Sequence, residues 1–370
     1  MTESTVLDVD PRWASAPGVT IRRALAARGL NTEDLADKLG VSDPDARRLL
    51  TGETSITADM APLLAELLGS TAVFWQARET QYRESLHLLD ADGLAKRAPV
   101  KDMVKQGWLP EASSWKDTAR SVLSFFDVED SAEWERRWGS RLRETNFRGS
   151  PTYESQDVSV AAWLRQAELS ARSIHTETWS PAELRRAASE LRGLSRVGNP
   201  EVFLPRAQRL LAEAGVALVL VKATAGNRLS GAALRLEDGR RAIALTGRHL
   251  AEDHLWFTLF HEIGHLLLHG GQDDFLDSLD SLDAHGIGES AVEDQANDWA
   301  RAALIPMGIE ALGNGRVQGP TRREILGFSS DIGIAPGIVV GQLHHASKLK
   351  PNQHRPLIRR YRWIGTSLGI

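Results

Sequence analysis

Between residues 20 and 88, apolar positions recur three and four apart in short bursts, and a turn signal closes each burst. Ile21–Arg28 is the first. Asn31/Thr32 offers an N-cap before Glu33–Leu39, and Gly40 ends that run. Ser42 then caps a helix with Pro44 in its first turn, closed by Gly52. Thr57 opens Ala58–Leu68, Gly69 ends it, and Ser70 precedes Thr71–Arg83. Residues 91–200 keep a helical period and carry clustered tryptophans (Trp108, Trp115, Trp134, Trp138, Trp163, Trp179), read as core rather than as a ligand site. Pro200–Ala214 is a further helix, stopped by Gly215.

The period then changes. Val216–Val221 is a continuous apolar run, the pattern of a buried strand. Leu229–Leu236 and Arg241–Thr246 follow, and the Asp238-Gly239 between them signals a hairpin. A strong helical run covers 252–269, a Gly/Asp/Ser-rich stretch 271–289 reads as a surface loop, and 290–304 is helical up to Pro306. Helices, then three strands, then helices around a loop predict an α+β domain with a small sheet.

Composition narrows the chemistry. The chain has 370 residues, 42% hydrophobic and 25% charged, an ordinary globular balance with material for more than one domain. Cysteine is absent, so any metal site is built from His, Asp and Glu. The N-terminus lacks a signal-peptide pattern, and no run approaches the roughly 18–20 apolar residues of a membrane span. The expected location is the cytoplasm. The net charge of −5 matches the excess of 14 acids over 9 bases in residues 1–90. Residues 332–370 hold six bases (Lys348, Lys350, Arg355, Arg359, Arg360, Arg362) and no acid, read as a solvated terminal helix or tail.

One stretch carries a specific chemistry. His261-Glu262-Ile263-Gly264-His265 has two histidines four residues apart, which on a helix lie on one face and reach one ion. Glu262 stands beside them as general base for a water. A catalytic zinc site takes three protein ligands and leaves one position open. Glu293 is the best third ligand, with Asp294 and Glu289 as competitors. Asn297, one turn beyond Glu293, is placed to orient a histidine through its other ring nitrogen. His269 reads as a supporting or capping residue with a secondary role at an oxyanion; Tyr153 and His285 are further oxyanion candidates that no spacing singles out. If Leu229–Leu236 is an edge strand it offers an extended peptide a place to pair, and an ordinary sheet strand is the equal alternative.

These residues resemble the ImmA/IrrE family of metallopeptidases. The likeness runs through Trp256-Phe257-Thr258-Leu259-Phe260-His261-Glu262-Ile263-Gly264-His265-Leu266-Leu267-Leu268-His269, Glu293-x-x-Ala296-Asn297-x-x-Ala300 and Leu304-Ile305-Pro306. Gln295 departs from it, since many members carry a second Glu there. The resemblance implies zinc, with manganese as the alternative ion, bound by His261, His265 and Glu293, and Glu262 as catalyst. It implies endopeptidase action on a helix-turn-helix repressor or antitoxin.

Residues 17–86 resemble the XRE/Cro-type helix-turn-helix of HigA-like antitoxins, through Leu35-Ala36-x-x-Leu39-Gly40-Val41-Ser42, Leu49-Leu50-x-Gly52, Ile56-Thr57 and Phe74-Trp75. The resemblance implies operator DNA as a partner and a homodimer, with Ser42, Asp45, Arg47 and Arg48 as the residues facing DNA. The acids at the start of that helix repel phosphates unless they read a cytosine amine, so a protein-docking or dimerisation module is the alternative. The expected organisation is multidomain: an all-α helix-turn-helix domain (1–88), a helical Trp-rich region of the peptidase part (89–200), a zincin-like metallopeptidase core (201–310) and a helical C-terminal extension with a basic tail (311–370). The expected function is a regulatory zinc endopeptidase. The alternative is a transcriptional regulator or antitoxin whose peptidase-like domain is a sensor. A third reading is self-cleavage near 86–110.

Overall fold

The computed structural model describes residues 14–144, 154–269, 275–278, 291–310, 312 and 319–370. They form two compact units. One comprises the described residues up to Lys96 with Pro110–Trp134; the other comprises Arg97–Leu109 with the described residues from Glu135 to Ile370.

The first unit is built from α1 (Pro17–Ala27), α2 (Thr32–Leu39), α3 (Asp43–Thr51), α4 (Met60–Leu68), α5 (Ala72–Arg97), which ends at the unit boundary, and α6 (Trp115–Phe126). Local chemistry sets the α2–turn–α3 pair. Asn31 accepts from the amides of Glu33 and Asp34 while Asp34 accepts from the Asn31 amide at 2.8 Å, a reciprocal cap. Gly40 closes α2 in left-handed backbone (φ 64°), and the Ser42 hydroxyl receives the Asp45 amide to open α3. Ile21, Leu35, Ala46, Leu49, Leu64 and Trp75 fill the core between these helices. Three boundaries differ from the expectation, the first being α1, which starts at Pro17 rather than Ile21. The helix opened by Thr57 starts at Met60, whose amide the Thr57 hydroxyl accepts at 3.3 Å. The helix expected to stop at Arg83 continues to Arg97, because 84–97 contains no proline and its one glycine, Gly93, is tolerated inside it. The 88/89 boundary thus falls within a helix, and 89–200 does not stay together: Pro110–Trp134 belongs to the first unit.

The second unit contains α7 (Glu154–Arg172), α8 (Pro181–Leu194) and α9 (Pro200–Glu213), then β1 (Val216–Leu220), β2 (Leu229–Arg235) and β3 (Arg241–Leu245). After these come α10 (Glu252–Leu268), β4 (Phe275–Ser278), α11 (Ala291–Leu304), α12 (Arg322–Asp331) and α13 (Pro336–His345), and a hairpin of β5 (Arg362–Ile364) and β6 (Ser367–Gly369). The main sheet has the order β1-β3-β2-β4. β1 runs parallel to β3, and β2 is antiparallel to β3 and to β4. Gly239 (φ 82°) makes the β2–β3 turn that the Asp-Gly pair signals.

Alternate strand residues face alternate sides. Val216, Leu218, Ala233, Ile243 and Leu245 join the core around α10, and the intervening Ala217, Val219, Ala232, Ala242 and Ala244 are buried as well, so the sheet is covered on both faces. The expectation that Leu229–Leu236 offers a free edge fails. β4 pairs with β2 from Leu229 to Ala233, so its outward main-chain groups are already engaged. Apart from β4, the acidic stretch 271–289 lies outside the described residues, as do Tyr153, His285 and Glu289.

Trp138 and Trp163 are core residues of this unit, and the Trp163 indole donates to the Val221 carbonyl at 2.8 Å. The basic C-terminal stretch is not a solvated tail. Leu357, Tyr361 and Leu368 are buried in the core, and Tyr361 packs on Phe203, whose ring also meets Trp256. Among the described residues no single helix is long and apolar enough to cross a membrane.

Candidate metal centre

α10 forms the floor of the site. Leu255, Leu259, Phe260, Ile263 and Leu266 bury it, which fixes its rotation and turns the interleaved polar residues toward one another. His261, Glu262 and His265 are all 0% exposed. The two imidazoles lie one helical turn apart, with their Nε2 atoms 2.9 Å from each other.

α11 brings the third group. A Cβ on Gly264 would stand 3.2 Å from the Ala296 carbonyl oxygen and 3.3 Å from the Ala296 Cα, so the glycine sets how closely the two helices approach. Glu293, in the first turn of α11, places Oε2 3.2 Å from His261 Nε2 and Oε1 3.5 Å from His265 Nε2. One ligand atom from each of the three residues lies within 4.8 Å of the others. One turn along α11, Asn297 Oδ1 lies 3.0 Å from His261 Nδ1. An amide oxygen only accepts, so the proton belongs on Nδ1 and the Nε2 lone pair faces His265 and Glu293.

Such a donor set fits a divalent ion. A lone pair on Nε2 directed at a second imidazole nitrogen and a carboxylate is repulsive unless a cation lies between them. Two imidazoles and one carboxylate, with no thiolate, are the ligand types of a catalytic zinc site with an open fourth position. The protonation states agree. Burial holds His265 below its ordinary pKa, toward the neutral ligating form. Burial pushes Glu293 upward, but its contacts with the His261 and His265 imidazoles outweigh it and hold the carboxyl at about 2, ionised.

The structure thus brings His261, His265, Glu293, Glu262 and Asn297 together. His269 caps the end of α10, its ring 5.8 Å from that of His265, and is not in the three-residue group. Asp294 is exposed and also lies outside it. In the first unit, Ser42, Asp45, Arg47 and Arg48 line the exposed start of α3. Arg47 pairs with Asp43 at 2.7 Å, and Arg48 pairs with Asp45. The Ser42 hydroxyl, followed by Arg48, holds the Asp45 carboxyl below its usual range. Both arginines are therefore answered by acids of their own helix.

Two features escaped sequence reasoning. A Cβ on Gly231 of β2 would stand 2.6 Å from Glu262 Oε1 and 2.7 Å from Thr258 Cγ2. A glycine inside a strand pattern, part of the Gly231-Ala232 pair that shares in the family likeness, marked the position but not what lies against it. The second is at the start of α10, where Glu252 is 0% exposed. Its carboxylate receives Arg359 Nη1 at 2.6 Å, and its amide donates to the Arg359 carbonyl at 3.0 Å. Arg359 also donates to the Ser195 carbonyl at 3.2 Å, just past α8. Burial raises the Glu252 carboxyl to about 7, with Arg359 opposing and Asp253 reinforcing the rise. Nothing local marks this pair, whose members are 107 residues apart.

Residues 219–310 match the family model of the IrrE N-terminal-like domain, a peptidase family, and residues 21–75 match the helix-turn-helix family model. The order is the one the sequence implies, with the helix-turn-helix N-terminal and the peptidase-type domain C-terminal to it. The first match takes in β2 to β4, α10 and the three grouped residues. No curated protein and no solved structure matches the chain.

Proposed function

We propose that this chain is a regulatory metal-dependent endopeptidase of the cytoplasm that cleaves a helix-turn-helix repressor or antitoxin, with its own helix-turn-helix unit docking DNA or a partner. The observation that carries the reading is the buried group of His261, His265 and Glu293 with Glu262 on the same helix. Zinc, or manganese, held there would supply Lewis acidity, lowering the pKa of water and polarising a carbonyl. The residues of the chain do the rest. Asn297 fixes the His261 tautomer and ring plane. Glu262 takes a proton from the water that attacks the scissile carbonyl and returns it to the leaving amine. The apolar residues flanking α10 keep bulk water from competing for that proton.

The test is cleavage of purified helix-turn-helix repressors by the zinc-loaded chain, compared with Glu262→Gln. The expected outcome is one bound metal in both proteins and cleavage only by the wild type. Cleavage that survives Glu262→Gln would sink the assignment.

A second reading has its own observation. The arginines of α3 are paired with Asp43 and Asp45, which lowers the net positive charge available to phosphates. This favours protein docking by the helix-turn-helix unit, with the peptidase-type domain acting as a sensor. Sequence-specific promoter binding at low salt, lost on Arg47→Ala with Arg48→Ala, would instead favour DNA.

A further inference from the structure

We propose that Gly231 is a positioning residue for the Glu262 carboxyl: β2 presents a side-chain-free stretch of backbone against which the general base is seated. This rests on the reading of Glu262 as proton acceptor and adds the element that fixes it. The Glu262 carboxyl, at the end of a long side chain on α10, has one wall at the neighbouring strand. That wall is β2. A methyl at position 231 would lie 2.6 Å from Oε1 of Glu262, closer than real methyl contacts come, and 3.1 Å from its Cγ, tighter than most of them.

The backbone does not itself demand glycine here, since Gly231 is not among the residues with positive φ. The requirement is space beside the acid. Gly264 shows the contrast: its neighbours are the backbone of Ala296 and the ring of Trp299, so it serves helix packing.

Nor can β2 retreat. Gly231 is paired with Leu245 on one side and with Asp277 on the other. Just before it, the Thr246 hydroxyl donates toward the carbonyls of Leu229 at 2.9 Å and Ser230 at 3.0 Å, and the Thr246 amide donates to Ser230 at 2.9 Å. A side chain added at 231 must therefore displace the Glu262 carboxyl or the Thr258 methyl, and the experiment separates these.

Gly231→Ala should lower Tm by about 5 °C. In a Glu262→Ala background the same change should cost less than half as much, whereas Thr258→Ser should leave most of the loss in place. With one equivalent of cobalt bound, the visible spectrum of Gly231→Ala should move from that of the wild type toward that of Glu262→Gln. The proposal is overturned by an equal Tm loss with and without the Glu262 carboxyl, by full recovery through Thr258→Ser, or by a wild-type cobalt spectrum. If Gly231→Ala does not fold, folding of Gly231→Ala/Glu262→Ala supports the proposal and its failure overturns it. A chain that takes up no metal would refute the proposed function, while the Tm comparison would still decide whether Gly231 seats Glu262.

Discussion

Replacing Glu252 with glutamine tests how the start of α10 is held. The carboxyl is fully buried, and its pKa stands at about 7 against an ordinary value of 4.5. A folded-state pKa above the unfolded one means the native protein binds more protons between those values. The contribution to stability is thus complete below pH 4.5 and is lost as pH rises through about 7. At 1.36 kcal/mol per unit the full swing is about 3 kcal/mol, most of it between pH 5 and pH 8. Glutamine keeps an oxygen for Arg359 and removes the titration. Urea unfolding of wild type and Glu252→Gln at both pH values reads the effect directly. The variant should gain about 2–3 kcal/mol on the wild type between pH 5 and pH 8. A difference between the two proteins that does not change with pH would refute the reasoning. It would mean that Arg359, which also binds the Ser195 carbonyl, compensates the buried charge in full.

Elemental analysis should find about one zinc or manganese per chain, lost in both His261→Ala and Glu293→Ala. Retention of metal in either variant would break the three-ligand assignment. Asn297→Ala should keep the fold but weaken metal affinity by about 10–100-fold, read by chelator competition, because His261 loses the acceptor that fixes its tautomer. Full-strength metal binding would deny Asn297 that role. In the first unit, electrophoretic shift assays at low salt should show no sequence-specific DNA binding if Arg47 and Arg48 stay paired with Asp43 and Asp45. A specific complex that weakens steeply with added salt would point the other way.

What could be read from the sequence was what neighbours in sequence decide. Asn31, Gly40, Ser42 and Gly52 act on amides and carbonyls a few residues away, so the α2–turn–α3 pair was legible. His261 with His265, and Glu293 with Asn297, are each one turn apart on one helix, so helical period alone puts each pair on a common face. That α11 lies against α10 follows from packing at Gly264 and Ala296, which no local pattern encodes. β4 escaped because its stretch reads as a polar loop, and the pairing that makes it a strand comes from β2. The Glu252–Arg359 pair and the Gly231–Glu262 contact join distant segments, where composition and period carry no information. The basic C-terminus misled for the same reason: its charges suggested solvent, yet Tyr361 and Leu368 are held in the core.

The path of the chain through the two units bears on how such a protein can be inherited and rebuilt. Each unit is made of two stretches of chain, exchanging at 96/97, 109/110 and 134/135. Deleting residues 1–88 would cut through α5 and strip the segment Pro110–Trp134 of its partners. A single cut near 86–110 would likewise leave Pro110–Trp134 tethered to the second unit. The first unit as a whole is therefore not a piece that one junction can append or remove, although its helix-turn-helix core, Ile21 to Trp75, is continuous. The two halves are interleaved in the gene as well as in the fold, and a graft that moves one must carry both of its segments.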